Sequence, residues 1–82
     1  MYKIDDSIRK QFREYFKVEI TKFCDTQMSS ILNKFQFDVF MFDDYLHEKL
    51  GYTEEEHGSI NDFLKLKHGE GAVELMKKIN KL

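Results

Sequence analysis

Apolar residues recur at three- and four-residue steps along most of this chain, the period of helices buried along one face. Ile4, Ile8, Phe12, Tyr15, Phe16, Ile20 and Phe23 form the first series and predict a helix over residues 6–24. Asp5 or Asp6 is its N-cap, because a short carboxylate accepts from the free amides of a first helical turn. On that wheel Lys10, Arg13 and Lys17 gather on the side away from the apolar face. Glu19 falls inside the apolar face. A carboxylate there either sits at the edge, paired with a Lys or a Tyr hydroxyl, or is held at an interface the monomer leaves open.

Over residues 25–37, Met28, Ile31, Leu32 and Phe35 keep the helical step and predict a second, shorter helix capped by Asp25 or Thr26. The competing signal is the alternation of Phe35, Phe37, Val39 and Met41, which reads as a strand. Helix is preferred because a lone strand has no evident pairing partner. Residues 38–50 predict a clearer helix, with Asp38 as N-cap, Gly51 as the left-handed residue after its end, and Val39, Phe42, Tyr45, Leu46 and Leu50 on one face. Thr53 and Glu56 match a capping box. Gly58 interrupts, and Ser59 restarts a turn or helix carrying Ile60, Phe63, Leu64 and Leu66. His68-Gly69-Glu70-Gly71 is a break, and a last helix from about Glu70 to Asn80 buries Ala72, Val73, Leu75, Met76 and Ile79. The expected fold is all-α: one compact domain over residues 1–82, made of four or five short helices.

Composition agrees with this class. In 82 residues there is no Pro, which would break helix interiors, and 41% hydrophobic residues are too many for a disordered chain. No apolar run approaches the roughly 18 residues that span a bilayer. The opening Met1–Asp6 lacks the basic and apolar regions of a secretory signal, and a single Cys cannot make an internal disulfide. Both point to a cytoplasmic protein. Lys outnumbers Arg 11 to 2 while Phe and Ile are plentiful and Ala occurs once. That skew is expected of an AT-rich genome, such as a low-GC bacterium or a mobile element it carries.

Charge divides the chain in three. Residues 1–34 balance at +2, residues 35–62 at −7 and residues 63–82 at +3, giving −2 overall. Either folding lays the acidic middle against the basic ends, or the middle forms an exposed acidic face suited to a partner of opposite sign.

Motifs for chemistry are sparse. Glu54-Glu55-Glu56-His57 contains one Glu-x-x-His step, whereas a di-iron carboxylate bundle needs two and further Glu. Zinc would require Cys24 to converge with His47, His57 and His68, which their spacing does not demand. Cys24 at the end of a helix would face a dipole that disfavours its thiolate. There is no phosphate-binding Gly-rich loop, nucleophile elbow or dinucleotide fingerprint. The expectation is a non-enzymatic chain with no cofactor and no metal.

The informative departure is Phe40. It falls on the opposite side of its helix from Val39, Phe42 and Leu46, with Asp43, Asp44 and His47 as wheel neighbours. An aromatic ringed by polar groups is the composition of an interface anchor. The leading expectation is therefore a small interaction module or regulator that binds another protein through Phe40, Asp43, Asp44 and His47. A phage or mobile-element protein that inhibits a host factor is its narrower form. The alternative is a nucleic-acid-binding module using Lys10, Arg13 and Lys17. A third expectation is a homodimer, the acidic middle of one copy against the basic first helix of the other.

Overall fold

The computed structural model describes residues 4–25 and 36–80. Five α-helices and one 3-10 turn surround a single core: α1 (Asp6–Phe16), the 3-10 turn (Ile20–Phe23), α2 (Val39–Leu50), α3 (Glu54–His57), α4 (Ile60–His68) and α5 (Glu70–Asn80). The fold is all-α, as expected, and the extended pairing among the described residues is a two-residue antiparallel ladder. In it β1 (Cys24–Asp25) pairs with β2 (Gln36–Phe37), Cys24 opposite Phe37.

Capping chemistry sets most helix limits. Asp5 caps α1 by accepting from the Ile8 amide at 2.8 Å. Asp38 caps α2, its Oδ1 accepting from the Phe40 and Met41 amides at 3.1 Å each, and Gly51 ends that helix in the left-handed region with φ 75°. Thr53 Oγ1 accepts from the Glu56 amide at 3.3 Å and Ser59 Oγ from the Asp62 amide at 3.1 Å. The reciprocal half of the capping box belongs to His57 rather than Glu56: the Thr53 amide donates to His57 Nδ1 at 3.2 Å.

The first helix is shorter than its apolar series implies. It stops at Phe16, where Lys17 adopts the left-handed conformation (φ 61°) and returns its amide to the Arg13 carbonyl at 2.9 Å. Val18, Ile20 and Thr21 are β-branched and weak helix formers. Breaking here turns Ile20 and Phe23 back onto the core as the 3-10 turn, both buried. Tyr45 covers the exposed helix end, its hydroxyl donating to the Phe16 carbonyl at 3.0 Å. The early stop also explains the second departure. Extended residues after Phe23 supply the pairing partner that the sequence hides, so residues 36–37 are strand and not helix. The helix expected over 25–37 otherwise lies outside the described residues.

The core is aromatic at one end. Phe12, Phe16, Phe23, Phe37 and Phe42 meet with ring centroids between 4.8 and 6.3 Å apart, all tilted or edge-on as ring quadrupoles prefer. At the other end Leu46, Tyr52, Phe63, Leu64, Ala72, Leu75 and Ile79 close the layer between α2, α4 and α5. Leu66 departs from its expected place and is 74% exposed. Gly71 is helical, not part of the break. Its place lets α5 approach α1 so closely that a Cβ there would stand 2.7 Å from Tyr15 Cζ. Among the described residues no helix is long and apolar enough to cross a membrane.

Candidate functional site

The first turn of α2 carries three consecutive apolar side chains outward. Val39 is 47%, Phe40 80% and Met41 52% exposed, while Phe42, next along the helix, is buried. Helical rotation of about 100° per residue produces this sorting. The Asp38 cap fixes the two backbone amides that carry Phe40 and Met41. Phe40 therefore stands on ordered backbone. One and two turns further along the same side are Asp43, Asp44 and His47. His47 Nε2 lies 3.5 Å from Asp43 Oδ2, and its ring is 5.0 Å from the buried Tyr52 ring. The four expected residues thus share one region, with Phe40, Asp44 and His47 exposed and Asp43 half-buried at its margin.

Between α2, α4 and α5 that margin drops into an open groove of about 380 Å³. Its floor is Phe42, Leu46 and Met76, its walls Val39 and Ile60, and its rim Asp43 and Glu54. Tyr52 lies beneath, its hydroxyl donating to the Gly58 carbonyl at 2.9 Å. Burial, then the carboxylates of Glu54, Asp43 and Asp62, push the Tyr52 phenol above its ordinary pKa and keep it a donor. Sequence reasoning missed the groove because it assembles from residues of four helices that are remote in sequence.

Ion pairs among the described residues include Arg13–Glu19 (3.1 Å), Lys65–Glu70 (3.2 Å) and Lys77–Glu74 (3.5 Å), and His47 stands 3.5 Å from the Asp43 carboxylate. All of these are local, and none of them joins a Lys or Arg to a carboxylate between residues 38 and 62.

The basic ridge is less continuous than the wheel implies. Lys10 is exposed on α1, Arg13 is engaged by Glu19, and Lys17 occupies the left-handed position beyond the helix end. Glu19, placed by the wheel inside an apolar face, is an exposed residue just before the 3-10 turn. Its carboxylate removes one net charge from the ridge.

Cys24 sits on β1, not on a helix end. Burial pushes its thiol up to about 11 against a smaller opposing pull from Arg9, and Sγ donates to the Ile20 carbonyl at 3.3 Å. A protonated, half-buried thiol is a poor nucleophile. His57 packs edge-on to Phe63 at 4.8 Å and His68 edge-on to Phe16 at 5.0 Å, so both rings serve the core margin. Among the described residues no three His, Cys, Asp or Glu side chains converge as metal ligands would. Comparison with protein-family models, with curated proteins and with solved structures returns no match to this chain.

Proposed function

We propose that this protein is a small, non-enzymatic interaction module that binds another protein through the outer face of α2. Phe40 is the apolar anchor, and Asp43, Asp44 and His47 form the polar surround. The observation that carries this reading is the exposure of Phe40, 80%, on a capped helical turn between two other half-exposed apolar side chains. A large aromatic held outward on ordered backbone loses little conformational freedom when a partner covers it, and such residues dominate interface energies. The carboxylates of Asp43 and Asp44 beside it favour a basic partner and repel nucleic acid.

A tagged pull-down from host lysate, with and without nuclease, tests the reading, followed by rebinding of the purified partner. One protein retained in both conditions, lost with Phe40→Ala and weakened with Asp43→Asn/Asp44→Asn, is expected. Recovery that disappears with nuclease and survives Phe40→Ala overturns it in favour of Lys10, Arg13 and Lys17. In its narrower form the reading makes the partner a host factor held inactive, which an assay of that factor with and without the chain decides. Light scattering on the purified protein separates a second copy from a different partner.

A further inference from the structure

The groove beside the α2 face adds chemistry that the exposed helix alone does not. Its floor is apolar, its rim carries Asp43 and Glu54, and among the described residues no Lys, Arg or His lines it. Two carboxylates, those of Asp43 and Glu54, therefore stand at the edge of an apolar trough. At about 380 Å³ the trough is near the lower end of ligand sites, which run from about 300 to 1,000 Å³. That is room for a few side chains. An anionic ligand would meet the carboxylates of Asp43 and Glu54 at the rim, whereas a cationic one would pair with them.

We propose that the groove takes a short basic and apolar peptide segment of a partner protein. One or two large aliphatic or aromatic side chains sit between Val39 and Ile60, above the buried Phe42, Leu46 and Met76, and a flanking Lys or Arg pairs with Asp43 and Glu54. The inference rests on the reading of the α2 face as a binding surface, to which Val39 and Asp43 connect the groove, and it names the chemistry of the segment bound there.

The test uses the full chain, nitrogen-15 labelled, titrated with three synthetic peptides of equal length. One is an amphipathic Leu/Lys helix, one its Leu/Glu counterpart, and one a Gly/Ser/Lys peptide of the same positive charge. The Leu/Lys peptide alone is expected to shift the amides of Val39, Asp43, Glu54, Ile60, Asn61 and Asn80. Asp43→Asn/Glu54→Gln, with its helical circular dichroism unchanged, is expected to weaken that binding roughly two- to thirtyfold, the range for two solvent-facing charge pairs. Equal binding of the Leu/Glu or Gly/Ser/Lys peptide overturns the proposal, as do shifts clustered elsewhere, no binding of Leu/Lys, or an unchanged Kd in the double variant. The two readings fail distinguishably in the pull-down. A partner lost with Phe40→Ala but retained by Glu54→Lys removes the groove and leaves the α2 face. A partner retained by Phe40→Ala removes the face itself.

Discussion

Phe40 and Phe42 stand two residues apart on α2, yet their surroundings have nothing in common. Phe42 is 2% exposed, with the rings of Phe12, Phe16, Phe23 and Phe37 at 5.2 to 5.5 Å. Phe40 is 80% exposed and belongs to the outer face with Asp44. A rotation of about 200° between the two positions separates a residue that holds the fold from one available to a partner. The difference teaches that side-chain type predicts little here; helical phase decides. Removing each ring in turn is the strongest way to break the comparison. Phe42→Ala is expected to cost about 3–5 kcal/mol, a large part of the roughly 4–12 kcal/mol that a domain of this length has. Phe40→Ala is expected to stay within about 0.5 kcal/mol. Urea unfolding followed by circular dichroism measures both, and similar midpoints would show that Phe42 is not the hub its contacts imply.

Gly71 probes the buried side from across the core. In a helix interior Gly→Ala ordinarily stabilises by up to about 1 kcal/mol. Here the added Cβ meets the Tyr15 ring, so the sign reverses and Gly71→Ala is expected to cost about 1–3 kcal/mol. The penalty should vanish when Tyr15→Ala is made in the same chain, so that the double variant costs less than the sum of the two single ones. Additive effects would mean that α1 and α5 approach less closely than described.

Asp38 tests the exposed side. Asp38→Ala removes the acceptor of the Phe40 and Met41 amides and is expected to cost about 1 kcal/mol. The loss is local: hydrogen exchange should quicken at Phe40 and Met41 and stay slow at Leu46. Uniform quickening along α2 would show that the cap supports the whole helix rather than the turn presenting Phe40.

How much of this was legible beforehand follows from which forces are local. The limits of α2 and the start of α4 were readable because Asp38, Gly51 and Ser59 act on amides within a turn of themselves. The outward phase of Phe40 was readable for the same reason. The end of α1 was not, since Lys17 in a left-handed conformation carries no composition signal of the kind Gly or Asn gives. That one error hid the β1–β2 pairing and put Glu19 on a wheel it does not occupy. Gly71 read as a breaker because its reason, the Tyr15 ring, is remote in sequence. Of the candidate site, the α2 face was visible and the groove was not, because Ile60 and Met76 reach it from other helices.

His68 is the reverse of Phe40: a polar ring set against the aromatic core rather than an apolar ring set in a polar surface. Its ring stands edge-on to Phe16 at 5.0 Å, and Nε2 is buried with no hydrogen-bond partner among the described residues. Left unprotonated, that nitrogen strands only an acceptor. Protonated, it would bury a donor and a charge with nothing to receive them. Desolvation, then the charges of Lys67 and Lys17, accordingly hold its pKa below the ordinary 6.5. In the unfolded chain His68 titrates at that ordinary value, so below it the unfolded state binds more protons than the folded one. Its contribution is therefore full above pH 6.5 and is lost as pH falls from there toward the folded-state pKa. The loss should be smaller than that of a helix cap, because water reaching the partly exposed ring screens part of the charge. Unfolding midpoints of the wild type and His68→Phe, measured from pH 7.5 down to about pH 5, isolate it from the other titrating groups. The wild type should fall more steeply than the variant across that range. Parallel curves would mean that the ring finds a proton acceptor or water on folding, and that the core tolerates His68 in either charge state.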